Sequence, residues 1–296
     1  MSGWVLAPGA DGYPAQLADL GELAAPTLYG VGSREAVAGL RADAAVTIVG
    51  TRRATAYGLG VAERLAADLA LAGVTIVSGM AIGIDAAAHR GALAGSGRTI
   101  AVLAGGPDIV YPARHRGLYR ELVESGAAVS ESEPGTRPLK QDFAIRNRLM
   151  AALSKVVVVV EAARPSGSLI TAHRAQDLNR ELAAVPGHVG VRVAEGTNYL
   201  IRECHAHLVR NAQDVLDLLA GVGAVRVTRT GPALEPELDR LLEAVERGAG
   251  TPDELARTAG LDAATTAVGL ARLELCRYVV SDALGSYSPS GLERPG

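Results

Sequence analysis

Between residues 46 and 209, short apolar, β-branched runs recur at 46–49, 74–77, 99–103, 127–129, 156–160 and 182–185. Most are followed by a Gly, Ser or Pro turn and then by a segment whose apolar residues have helical spacing. The clearest such segment is 57–72, where Leu59, Ala62, Leu65, Ala66 and Leu69 share one face of a helix. Strands that alternate with helices build βαβ units and a parallel sheet. The run Val156-Val157-Val158-Val159-Val160 lacks alternation, the pattern of a central strand covered on both faces. The spacing predicts an α/β fold with an open, doubly wound, mostly parallel sheet.

The two ends of the chain read differently. Residues 1–45 hold Tyr13-Pro14 and Pro26-Thr27-Leu28-Tyr29-Gly30, too little for an independent domain, and are expected to pack on the sheet. The sheet domain is expected to cover 46–220, with a Gly-, Val- and Thr-rich linker at 221–236. Residues 237–290 then carry a helix through Glu246 and a second one opened by Thr251 as N-cap with Pro252 at its first position. A third helix is expected at 262–275, followed by a hairpin from 277–280 and 285–288. Three helices and a wing in about 55 residues predict a small C-terminal winged-helix domain. No internal repeat is evident.

Charge sharpens this division. The 296 residues carry a net charge of −3, which argues against a protein that coats nucleic acid by bulk electrostatics. The total conceals an asymmetry: residues 231–296 hold 6 Arg against 11 acids, net −5, and the remainder is net +2. The expected recognition helix of the winged helix offers only Arg272 against Asp262 and Glu274. A partner-binding or dimerising role therefore fits it better than DNA readout. The N-terminus lacks the basic and apolar regions of a signal peptide, and no run of ~18 apolar residues occurs. A cytoplasmic protein without a membrane partner is expected. Cys204 and Cys276 are expected to be reduced and structural, because Cys204-x-x-His207 with His205 has no fourth ligand at a zinc spacing. No metal site and no cofactor are expected.

In an open α/β sheet, ligands bind beyond the carboxyl ends of the strands. Gly50-Thr51-Arg52 follows the first of these runs, and Ser166-Gly167-Ser168 follows the Val run and enters a helix. Both have the small residues that let backbone N–H groups approach an anion. No Gly-x-x-x-x-Gly-Lys-Ser/Thr loop is present, Gly58-x-Gly60 lies inside a helix, and no Gly-x-Ser-x-Gly elbow exists. Nucleoside triphosphate, dinucleotide and serine-hydrolase readings are thereby disfavoured, and no catalytic residue is assigned. Asp85 and His89, four apart on a helix, read as a terminal carboxylate orienting a buried imidazole.

The densest signal is 137–148. It holds Arg137, Lys140, Arg146 and Arg148 against one acid, together with Phe143, the only Phe of a chain with just 3 % aromatic residues. Basic groups that track phosphates beside an aromatic face that stacks a base suit single-stranded nucleic acid. An alternative has Phe143 in the core of a helix over 143–153, with Arg146 and Arg148 on its solvated side. Composition alone leaves both readings open.

The ordered motifs resemble the DprA/Smf family of bacterial DNA-processing proteins. The resemblance rests on Gly50-Thr51-Arg52, Tyr57-Gly58, Ser78-Gly79-x-Ala81-x-Gly83-Ile84-Asp85, His89, Gly106, Tyr111-Pro112 and Ser130-Glu131. It continues through Phe143-x-x-Arg146-Asn147-Arg148, Ser166-Gly167-Ser168-Leu169-Ile170-Thr171-Ala172, Val185-Pro186-Gly187 and Gly196-Thr197-Asn198-x-Leu200-Ile201. It implies a Rossmann-like domain followed by a winged helix, and a non-catalytic binder of single-stranded DNA. Such proteins act in natural transformation and recombination: they form homodimers, load the RecA recombinase and displace single-strand-binding protein. The implied DNA-binding groups are Gly50, Thr51, Arg52, Lys140 and Phe143, with Arg146, Asn147, Arg148, Ser166, Gly167 and Ser168 lining the same pocket. Ala144 departs from a usual Pro, Ile82 from an often polar or aromatic position, and the Gly-Ala expected after Leu200-Ile201-Arg202 is lost in Glu203-Cys204-His205-Ala206-His207. An enzyme of the same superfamily, such as a phosphoribohydrolase acting on nucleoside monophosphates, is the alternative. Its Pro-Gly-Gly-x-Gly-Thr-x-x-Glu loop corresponds to Arg164-Pro165-Ser166-Gly167-Ser168-Leu169-Ile170-Thr171, which lacks the terminal carboxylate.

Overall fold

The computed structural model describes residues 3–225, 229–230, 233–282, 285–289 and 292–293. The chain divides into two compact units, 1–226 and 227–296. Parts of the expected linker (226–228 and 231–232) and the expected end of the winged helix at 290 lie outside the described residues.

In the first unit the strands are β1 (Gly3–Leu6), β2 (Leu28–Gly32), β3 (Ala45–Val49), β4 (Thr75–Ser78), β5 (Thr99–Val102), β6 (Ala127–Ser130), β7 (Val156–Val159), β8 (Glu181–Ala184) and β9 (His207–Leu208). The helices are α1 (Arg34–Ala38), α2 (Ala56–Leu71), α3 (Ile84–Ala94), α4 (Arg116–Ser125), α5 (Asp142–Leu153), α6 (Gly167–Asp177), α7 (Glu195–Glu203) and α8 (Ala212–Ala220). All nine strands form one sheet in the order β1-β2-β6-β5-β4-β3-β7-β8-β9. Strands β3 to β9 pair in parallel, and β7 is buried throughout. Within it the chain winds outward from β3 to β6, then returns across the sheet through α5 to place β7 on the other side of β3. The switch point therefore falls between β3 and β7, where the two exit loops diverge and leave a crevice.

The sequence pattern accounts for these elements. Ala62, Leu65, Ala66 and Leu69 form the buried face of α2, which packs on α3 and α8, while α5 packs on α6 and on the turns at 15–23. The first 45 residues do more than rest on the sheet. Strands β1 and β2 join it edge-on and antiparallel, so that β2 satisfies the free backbone edge of β6. At the opposite edge β9 adds a two-residue strand that the pattern of apolar runs does not reveal.

In the second unit, β10 (Arg229–Thr230) pairs with β13 (Leu292–Glu293). Helices α9 (Pro236–Glu246), α10 (Pro252–Ala259) and α11 (Ala263–Leu275) precede the hairpin of β11 (Val279–Ser281) and β12 (Tyr287–Pro289). Thr251 is the N-cap of α10, with a reciprocal bond from its own amide to Glu254. Leu241, Leu242, Leu255, Leu273 and Tyr278 form a core of their own. Arg272, the single cation expected on the recognition helix, is held by both carboxylate oxygens of Glu235 at 2.9 Å.

Candidate nucleic-acid interface

At the switch point the turns after β3 and β7 meet. Thr51 N donates to Glu161 O at 2.7 Å and Thr51 O accepts from Ile84 N at 3.3 Å, so Gly50-Thr51-Arg52 is held by backbone on both sides. A side chain at Gly50 would lie 2.5 Å from Ile84 and 2.8 Å from Glu161 O, which explains the glycine. The Glu161 carboxylate reaches back to accept from Thr55 N at 2.9 Å and from Thr55 Oγ1 at 2.6 Å. Thr55 in turn caps α2 by accepting from Gly58 N at 3.1 Å. Opposite this turn, Ser166 caps α6, its hydroxyl 2.8 Å from Ser168 Oγ, and Gly167 borders open space. Asn147 Nδ2 donates to Gly167 O at 3.3 Å and ties α5 to that helix start.

These elements wall a cleft of about 680 Å³. Of the residues expected from the sequence, Gly50, Thr51, Arg52, Lys140, Phe143, Arg146, Asn147, Ser166, Gly167 and Ser168 all line it. Arg52 and Lys140 are exposed at its mouth, and Phe143 is half-buried. The Arg52 guanidinium carbon sits 5.0 Å from the Phe143 ring centroid. Tyr111, 52 % exposed, lies 5.5 Å from the same ring at a tilt of 53°. The cleft therefore combines cations, two aromatic faces and a helix N-terminus with a free glycine.

Arg148 does not line the cleft. Two residues along α5 turn a side chain about 200° from Arg146. Arg148 instead donates to both carboxylate oxygens of Glu131, at 2.8 and 2.6 Å, and to Leu23 O at 2.8 Å. It clamps the N-terminal segment to the end of β6. The solvated placement of Arg146 and Arg148 is also corrected, because both are buried. Arg146 is the floor of the cleft: it donates to Gly79 O at 3.0 Å, to Val102 O, and to Asn147 Oδ1 at 3.1 Å. Burial pushes its pKa down to about 10, against the opposing pull of Asp85.

Asp85 and His89 are not partners. The Asp85 carboxylate faces Ala81 N at 3.4 Å and the charge of Arg146, and burial raises its pKa. His89 instead places Nδ1 2.7 Å from Thr99 Oγ1. Residues the sequence did not assign are Glu161 and Tyr111. A carboxylate directly ending an all-Val strand is a usable signal for the first, and Tyr111-Pro112 for the second. Among the described residues no three His, Cys, Asp or Glu side chains are grouped to hold a metal, and no helix is long and apolar enough to cross a membrane.

Comparison with known proteins shows the family. Residues 4–220 match the family described as DNA recombination-mediator protein A, and residues 226–283 match the DprA winged helix domain. A putative DNA processing protein DprA of Mycobacterium tuberculosis is 42 % identical over 237 residues, covering 78 % of this chain and 61 % of that protein. The chain thus spans about three-fifths of that relative's length. Protein Smf of Synechocystis is 31 % identical over 275 residues, covering 79 % of this chain and 67 % of that protein. The X-ray structure of DprA from Streptococcus pneumoniae superimposes with a TM-score of 0.67 at 36 % identity, over 72 % of this chain and 73 % of that one. DNA processing protein A of Helicobacter pylori, whose structure is described for its single-stranded DNA binding mode, gives 0.66 at 32 % identity over 74 % and 96 %. With its sheet domain matched almost end to end and a winged helix after it, the chain belongs to the DprA/Smf family of DNA-processing proteins.

Proposed function

We propose that the cleft binds single-stranded DNA without acting on it chemically, and that the protein is a recombination mediator. The observation that carries this reading is the Arg52–Phe143–Tyr111 cluster at the mouth of a cleft floored by a buried arginine. Exposed cations contact phosphates, and an exposed ring stacks a base that only an unpaired strand presents. Ser166, Gly167 and Ser168 add hydroxyls and a helix N-terminus for a phosphate. The carboxylate among the residues lining the cleft, Asp85, faces Ala81 N and the charge of Arg146, and Glu161 behind the turn is engaged on Thr55, which supports binding over hydrolysis.

Family membership extends the proposal. The protein acts as a homodimer in the cytoplasm, loads the RecA recombinase onto the bound strand and displaces single-strand-binding protein. The acidic second unit engages a protein rather than DNA, which is consistent with Arg272 being locked to Glu235.

A salt-dependent titration with single- and double-stranded oligonucleotides tests the substrate class. The expected result is preference for the single strand, with a log–log salt slope of about −0.7 per phosphate contact. Equal or tighter duplex binding overturns it. Release of free base from nucleoside monophosphates would establish the phosphoribohydrolase alternative instead.

A further inference from the structure

The carboxyl edge of the sheet carries a second cavity. Because β7 and β8 are parallel neighbours, the loops leaving them emerge on the edge that β3 also uses. A cavity of about 610 Å³ lies between the β7–α6 loop, the segment 187–191 after β8, and α7. Ser166 lines the first cleft and Arg164 lines the second. Two residues of chain reach about 7 Å at most, comparable to one step along an extended nucleic-acid strand.

The walls of this cavity are fixed in advance. Asn198 on α7 accepts from Gly187 N at 3.2 Å and donates to Gly187 O at 3.1 Å. Tyr57 on α2 donates to Pro186 O at 3.3 Å. Ala162 N donates to Val193 O at 2.7 Å and Gly196 N donates to Ala162 O at 2.8 Å, which seats α7 against the β7–α6 loop. In this frame the Arg164 guanidinium carbon lies 3.8 Å from the centroid of the Tyr199 ring. Tyr199 is half-buried while Arg164 is exposed.

A guanidinium backed by an aromatic ring keeps donors on its rim for a phosphate and offers its plane to a base. The α7 wall is less hospitable to phosphate: Arg202 is paired with Glu203 at 3.1 Å, and Glu195 adds a negative charge. The cationic side of the cavity is that of Arg164, which is also the side toward the first cleft.

We propose that this cavity is a second nucleotide subsite of the single-strand path. Arg164 takes the phosphate leading out of the first cleft, and the next base packs on the Arg164–Tyr199 stack. The proposal rests on the single-strand reading of the first cleft.

Fluorescence anisotropy with oligothymidylates of about 4 and about 12 nucleotides tests it in the full-length protein. Arg164→Ala is expected to weaken the longer strand about 5- to 100-fold, to flatten its salt slope by about 0.7, and to leave the shorter strand unchanged. Arg164→Lys should restore the slope but not the full affinity, because an ammonium has no plane to stack. Tyr199→Phe, which keeps the ring, should bind like the parent. Unchanged affinity of Arg164→Ala for the longer strand overturns the second subsite, and so does an equal loss at both lengths, which would place Arg164 in the first cleft. Failure of the parent protein to bind either length overturns the single-strand reading itself.

Discussion

Glu161, just past the end of β7, accepts from both the amide and the hydroxyl of Thr55, at 2.9 and 2.6 Å, although the two lie 106 residues apart in the chain. This one carboxylate joins the turn after β7 to the helix that follows β3. It thereby ties together two elements that meet at the switch point. Gly58 is part of the same arrangement, since a Cβ there would fall 2.3 Å from the Glu161 carboxyl carbon.

Glu161→Ala should destabilise the sheet domain by about 2 kcal/mol, because hydrogen bonds to a charged acceptor are lost and Thr55 N–H is left without its partner. Gly58→Ala should cost a similar amount through overpacking. Together they should be less than additive by about 1 kcal/mol, since removing the carboxylate makes room for the methyl group. Urea denaturation of the four proteins of the cycle measures this coupling. Strict additivity would separate the two residues.

Arg52→Ala and Phe143→Ala should differ in kind as well as size. Losing the cation should flatten the salt dependence of single-strand binding by about 0.7 of a log–log unit. Losing the ring should weaken binding by about 1–3 kcal/mol with the slope unchanged. Because Phe143 is half-buried at the cleft mouth, its truncation should leave the folded protein intact by circular dichroism. Unfolding on truncation would restore the reading of Phe143 as a core residue.

Arg148→Ala should act on stability and leave strand affinity in the folded protein unchanged. It leaves Glu131 without its two-point partner and strips a bond from Leu23 O, a loss of about 3 kcal/mol for a largely buried pair. Thermal unfolding and anisotropy on the same sample test both halves. Reduced affinity at full folding would return Arg148 to the interface.

His89 makes stability dependent on pH. It is fully buried, and desolvation, with His115, Arg146 and Arg90 adding to it, lowers its pKa from 6.5 to about 3. A depressed basic group binds protons more readily when unfolded, so its contribution is present above pH 6.5 and is lost as pH falls toward 3. About 2 kcal/mol should disappear between pH 7 and pH 4.5. Asp85, raised by burial, has the opposite sign: its contribution is present below its ordinary carboxylate range and is lost as pH rises through its folded value. Comparing denaturation of the parent and His89→Leu at the two pH values isolates the histidine. Parallel losses in both proteins would assign the effect elsewhere.

The amino-acid order alone determined much of the fold and the site: apolar periodicity the parallel sheet and its crossovers, capping residues the Pro252 helix start, charge counting the acidic tail. The basic run, the strand-end turns and the family resemblance supplied eleven expected site residues, of which ten line the cleft. These follow from local rules: which residues can bury a strand on both faces, which cap a helix, which turns leave small side chains at a strand end. Tertiary structure alone decided the rest. Arg146 and Arg148 are two positions apart in one basic run, and only the packing of α5 sends one to the cleft floor and the other to Glu131. Glu161 and Thr55, Asp85 and Arg146, and Arg52 and Phe143 are pairings across strands or across the sheet edge. Nothing in local sequence carries such distances, because they exist only once the strands and helices that bear these residues are assembled around one sheet.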